Sequence, residues 1–140
     1  MNILSCLTPK SEVRYINDDA SLLKTLQNMQ ESNFAAIPII NKTTGKYIGT
    51  ITAGDILGCI YENYDLSVKK AADIQLKNVR RTRDNKAVSA SAGLEEVLDI
   101  AMTQNFVPVI DDDESFIGII TRRDLMGALR KAQKKEENKK

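Results

Sequence analysis

Two kinds of apolar spacing alternate along the chain, in the same order twice. After residue 21, Leu22, Leu23, Leu26 and Met29 recur at helical spacing, with Lys24, Gln27, Asn28 and Glu31 on the opposite face. Asn17, Asp18, Asp19 and Ser21 supply capping side chains ahead of this helix, and residues 33–36 are expected to end it. A continuous apolar run follows, Ile37-Pro38-Ile39-Ile40, which predicts a buried strand. Pro38 has no N–H, so it must stand at a strand start or where no ladder bond is needed. Residues 41–45 predict a turn, 47–51 a returning strand, and 52–61 a helix with Thr52 as N-cap. Residues 11–16, ahead of the first helix, read as an extended segment.

The second half repeats this order. Residues 85–89 read as extended, and Ser91 is expected to cap a helix with Leu94, Val97, Leu98, Ala101 and Met102 inward. Residues 107–110 predict a strand around Pro108, 111–114 a turn and 116–120 the partner strand. Thr121 caps a last helix with Leu125, Ala128 and Leu129 inward. The copies are 72 residues apart at Leu22 and Leu94 but 69 apart at Asp55 and Asp124, so small deletions separate them. Residues 62–84 form a connector in which 67–73 predict a short capped helix. A β-α-β-β-α unit this small cannot bury its sheet alone. The expectation is an α+β fold of two pseudo-symmetric repeats packed through their sheets. The expected division is 1–66 for the first repeat with its N-terminal segment, 67–131 for connector and second repeat, and 132–140 for a charged tail.

Composition narrows the functional classes. A net charge of +1 over 140 residues argues against a general nucleic-acid binder. The basic groups Arg80, Arg81 and Arg83 read as a solvated connector, and the lysines after Arg130 as a solvated helix end. Without histidine the chain lacks the commonest general base and metal ligand. It also has no Gly-x-Ser-x-Gly, no P-loop and no cysteine paired with a base, so no catalytic residues are assigned. Cys6 and Cys59 cannot staple a chain of this size and are expected to be reduced thiols. Residues 1–7 are too short for a signal peptide, and no apolar run suffices to span a bilayer, so a cytoplasmic protein without membrane attachment is expected. The acidic run 111–114 lacks the spaced ligands and glycine of a calcium loop and reads as a hairpin turn.

The repeated ending carries the chemistry. Gly49-Thr-Ile-Thr52-Ala-Gly-Asp55 and Gly118-Ile-Ile-Thr121-Arg-Arg-Asp124 each follow a proline-bearing strand. With threonine as N-cap, the aspartate falls at the third helical position, beside free backbone N–H groups and the positive end of the helix dipole. Two uses fit. The pair is a capping box serving only the fold, or the carboxylate also accepts from the hydroxyls of a ribose. The copies differ inside the motif: Ala53-Gly54 against Arg122-Arg123. Arginine reads phosphate through its planar fork of donors, so Arg122 or Arg123 either contacts a ligand phosphate or points to solvent.

Taken together, the Gly-hydrophobic-x-Thr-x-x-Asp ending after a proline-bearing strand, twice, resembles a tandem pair of CBS (cystathionine β-synthase) domains, a Bateman module. The resemblance covers roughly residues 8–131. It implies a non-catalytic regulatory module that binds an adenine nucleotide such as AMP, ADP or ATP in a cleft between the repeats and relays its state to a protein partner. Carried over residue by residue, one site would use Ala36, Pro38, Ile51, Thr52 and Asp55 with Lys10, Ser11 and Val13. The other would use Pro108, Ile120, Thr121, Arg122, Arg123 and Asp124 with Asn85 and Lys86. One site is expected to be good and the other weaker or empty. The resemblance also implies a homodimer through the helices 52–61 and 122–131. It implies no required cofactor, with magnesium entering only alongside ligand phosphates. Sensing of cyclic di-AMP or S-adenosylmethionine, and a ligand-free protein-interaction module, are the alternatives.

Overall fold

A computed structural model describes residues 2–32, 34–63 and 65–139. Met1, Asn33, Tyr64 and Lys140 lie outside the described residues, Asn33 being the first of the residues 33–36 expected to end the first helix. The fold is the expected α+β class. The strands are β1 (Thr8–Pro9), β2 (Ile16–Asn17), β3 (Ala36–Ile40), β4 (Tyr47–Thr52), β5 (Val88–Ser89), β6 (Phe106–Ile110) and β7 (Phe116–Thr121). The helices are α1 (Leu22–Ser32), α2 (Ala53–Glu62), α3 (Val68–Asp73), α4 (Leu94–Ala101) and α5 (Arg122–Asn138).

The chain divides into two compact units whose ends are exchanged relative to the repeats. One holds Met1–Val13 with Asn85–Lys140; the other holds Arg14–Asp84. The expected boundary at 66/67 therefore follows the sequence repeats but not the packing. Burial gives the reason. Ile3 and Cys6 sit in the core of the first unit with Val88, Val97, Val107, Val109, Ile120 and Leu125. Ala71, Leu76 and Val79 of the connector sit in the core of the second with Ile16, Leu22, Ile37, Ile39 and Ile51. Ile3 and Leu76 are each 1% exposed. Burial of side chains this large stabilises by about 1.5 to 3 kcal/mol each, which anchors both segments away from their neighbours in sequence.

The Arg14–Asp84 unit contains a three-stranded sheet, β2-β3-β4, with β2 parallel and β4 antiparallel to β3. The other contains the same arrangement, β5-β6-β7, extended at the outer edge by β1 antiparallel to β7. Pro38 faces Thr50 across the β3–β4 pair. The Thr50 N–H points outward, to Asp84 Oδ1 at 3.0 Å, so this is a pair without ladder bonds and Pro38 loses nothing.

Several local expectations change. The segment before the first helix is a 3-10 turn over Lys10–Glu12, with strand only at Ile16–Asn17. The N-cap of α4 is Gly93, not Ser91, whose hydroxyl instead pairs with that of Ser89 at 2.9 Å. Met102 and Leu129, expected to point inward, are 79% and 41% exposed. With Leu98, Leu125 and Met126 they border an open apolar groove of about 310 Å³ between α4 and α5. Helix periodicity names an apolar stripe but not how far the neighbouring layer covers it. The acidic run is a turn: Asp111 Oδ1 accepts from the N–H groups of Asp113 and Ser115, each at 2.9 Å.

Candidate functional site

Both motif helices start with a complete capping box. Thr52 Oγ1 accepts from the Asp55 N–H at 3.1 Å, and Asp55 Oδ2 accepts from the Thr52 N–H at 3.0 Å. Thr121 and Asp124 repeat this at 3.0 and 3.1 Å. The local reason is that the chain leaves β4 and β7 in extended geometry at the threonine, which turns the first helical N–H groups toward its side chain.

Each aspartate also receives a threonine from the exchanged segment of its unit. Asp55 Oδ1 accepts from the N–H and hydroxyl of Thr82, at 3.0 and 2.9 Å. Asp124 Oδ2 accepts from the Thr8 hydroxyl at 3.0 Å. These threonines escaped the sequence reading because they stand at different distances from the strands that follow them. The one signal was a hydroxyl residue shortly ahead of each repeat.

The glycine that opens each motif has its explanation here. A Cβ on Gly118 would run into the Thr8 carbonyl oxygen and the Leu7 side chain. One on Gly49 would meet the Asp84 carboxylate. The incoming segment crosses the outer edge of β7 or β4 at the motif glycine, so no side chain fits there.

The two aspartates are unequal. Asp55 is 3% exposed, and both its oxygens are engaged. Burial pushes its carboxyl up, but the hydrogen bonds from Thr52 and Thr82 outweigh this and hold it below the ordinary carboxylate range. Asp124 is half-buried, and both its bonds go to Oδ2. Its Oδ1 has no hydrogen-bond partner among the described residues.

The arginines are unequal too. Arg122 donates to the carbonyls of Ala101 at 2.7 Å and Met102 at 3.5 Å, at the C-terminal end of α4. The sequence left open whether Arg122 or Arg123 contacts a ligand phosphate or points to solvent; here Arg122 satisfies carbonyls that the helix end leaves free, at the negative end of the dipole. Arg123 is exposed and lines a groove of about 650 Å³ together with Asp124.

The matching groove beside Asp55 is about 500 Å³ and is lined by Glu62, Asp73 and Arg80. Lys10, Ser11 and Val13 belong to the unit that carries Asp124, not to the one that carries Asp55. Asn85 and Lys86 lie in the Asp124 unit as well, where buried Gln104, another residue the sequence reading missed, holds the Lys86 N–H at 2.6 Å and its carbonyl at 3.1 Å. The Asn85 amide donates to the Phe106 carbonyl at 3.1 Å. Ala36, Pro38, Ile51, Thr52 and Asp55 share the other unit. Ile51 and Ile120 are wholly buried, so each could offer a ligand only its backbone. Pro38 and Pro108 are buried within their strands.

The CBS domain family model matches residues 5–62 and 76–131. The chain belongs to the CBS domain family. MJ1225, an uncharacterized protein of Methanocaldococcus jannaschii, is 26% identical over 125 residues, covering 78% of this CBS chain and 42% of that relative. The chain thus spans less than half the length of that protein. Among solved structures, CbpB in complex with c-di-AMP superposes with a TM-score of 0.86 at 23% identity, over 100% of this chain and 91% of that one. CBSX2 in complex with AMP superposes with a TM-score of 0.73 at 20% identity, over 94% and 98%. At these identities the likeness is one of fold. No helix among the described residues is long and apolar enough to cross a membrane.

Proposed function

We propose that this CBS pair is a non-catalytic regulatory module that binds an adenine nucleotide at the Asp124 end of α5 and relays its occupancy to a protein partner. The observation that carries this is the unengaged Oδ1 of Asp124, set beside exposed Arg123 at the free N–H end of a helix. That arrangement suits a ribose hydroxyl on the carboxylate and a phosphate near the arginine. Asp55 has no oxygen to spare, which supports one working site per chain. The CbpB and CBSX2 structures hold c-di-AMP and AMP, which supports an adenine ligand without choosing between them. Magnesium, where it takes part, would arrive with the ligand phosphates, as it is usually held by one or two carboxylates together with substrate phosphates.

Ligand binding shifts a pre-existing equilibrium by no more than its differential affinity for the two states. A homodimer fits the exposed apolar side chains on the motif helices: Leu57 and Tyr61 on α2, Met126 and Leu129 on α5. Thermal unfolding against AMP, ADP, ATP, c-di-AMP and S-adenosylmethionine tests the reading. A ligand at a hundredfold over its Kd should stabilise by about 2.7 kcal/mol, and Asp124→Ala should remove that gain. Absence of any shift would favour the ligand-free interaction module, a reading that the two complete capping boxes also support.

A further inference from the structure

Gly127 lies inside α5, where a glycine destabilises a helix by about 0.5 to 1 kcal/mol relative to alanine. Nothing in the fold asks for it, since a Cβ there would meet no atom within 4 Å. It lines the groove of about 650 Å³ that runs along α5 opposite Cys6 and Leu7. Arg123, Lys131 and Lys135 line the same groove, all three exposed. No ion pair among the described residues engages any of them. Asp124 stands at the N-terminal end of this row as its one acidic member.

Four-residue steps put Arg123, Gly127, Lys131 and Lys135 on one face. At 1.5 Å per residue the backbone of Lys131 lies about 12 Å beyond that of Arg123. A monophosphate at the Arg123 end therefore leaves the two lysines unused. A phosphate chain lying over the bare backbone at Gly127 reaches them. The corresponding groove in the other unit carries Gly58 at the matching position, with Gly54 and Glu62 where this one has Arg123 and Lys131. There Asp55, Glu62 and Asp73 outnumber the one basic group, Arg80, which disfavours a polyanion.

We propose that the α5 groove is a polyphosphate subsite, with Arg123 at one end of the phosphate chain and the long side chains of Lys131 and Lys135 reaching back along the helix to the other, so that the chain prefers a nucleoside triphosphate to the monophosphate. This rests on the nucleotide reading above. The test is calorimetric titration of the full chain with AMP, ATP and inorganic tripolyphosphate, repeated on the double variant Lys131→Glu, Lys135→Glu and on Asp124→Ala. Both lysines are exposed, and circular dichroism checks that the double variant stays folded.

ATP should bind at least tenfold tighter than AMP. In the double variant that gap should close while AMP affinity stays within twofold. Lys131→Arg should keep it. Tripolyphosphate alone should bind the wild type and Asp124→Ala but not the double variant. Equal affinities for AMP and ATP, or a gap that survives the double variant, would overturn the subsite and leave the nucleotide reading standing. If neither nucleotide binds but tripolyphosphate does, and the lysine variant abolishes it, the nucleotide reading fails and the anion-binding groove stands.

Discussion

Thr82 donates both its backbone N–H and its hydroxyl to a single oxygen of Asp55, at 3.0 and 2.9 Å. The connector is thereby pinned to the start of α2, and the first motif aspartate is spent on the fold. Thr8 does a lighter version of this job for Asp124 through its hydroxyl alone. The same sequence motif therefore ends in one closed and one open carboxylate.

Removing the Thr82 hydroxyl should be felt in stability. Hydrogen bonds to charged groups contribute about 1.5 to 3 kcal/mol, and Thr82→Val keeps the backbone donor. A loss of about 1 to 2 kcal/mol is expected in urea unfolding. Thr8→Val should lose less, because Asp124 is only half-buried and water can replace the donor.

Asp55 also sets an acid limit. Its folded pKa is depressed, so its contribution is fully present above the unfolded carboxylate value, about 3.9, and is lost as pH falls through the lower folded value. Unfolding free energy measured from pH 7 down to pH 2 should drop below about pH 4. Asp55→Asn should be less stable at neutral pH and should show a smaller drop. An unchanged acid limb in the variant would place the sensitivity elsewhere.

The motif glycines make opposite predictions from the helix glycines. In Gly118→Ala the new methyl group strikes a backbone oxygen of β1. A loss of about 1 to 3 kcal/mol is expected, with faster hydrogen exchange in the β1–β7 pair. Gly49→Ala should be milder, because Asp84 is a side chain that can swing aside, at the expense of its bond to Thr50. Gly58→Ala meets open space and should stabilise α2 by about 0.5 to 1 kcal/mol, read as a raised unfolding midpoint.

The neighbouring arginines should separate cleanly. Arg122→Ala removes donors from the end of α4 and should lower stability by about 0.5 to 1 kcal/mol with nucleotide affinity unchanged. Arg123→Ala should leave stability within about 0.5 kcal/mol, as for an ordinary surface substitution, while weakening the phosphate-bearing ligand. Paired melting and titration experiments on the two variants check this.

What the sequence by itself determined was local. Apolar periodicity placed the helices and the paired strands of both repeats, and Thr52/Asp55 and Thr121/Asp124 announced their capping boxes, because each depends on residues within one helical turn or one hairpin. Even the inequality of the repeats was legible, in Arg122-Arg123 against Ala53-Gly54. Local pattern failed where a face is left uncovered, as at Met102, and it left open which use a side chain takes, as at Arg122. The exchange of ends was decided by tertiary structure alone. Thr8 reaches Asp124 across 116 residues and Thr50 meets Asp84 across 34. No spacing rule spans such gaps. The choice follows from which core buries Ile3 and which buries Leu76, and that burial leaves one oxygen of Asp124 open while closing both of Asp55.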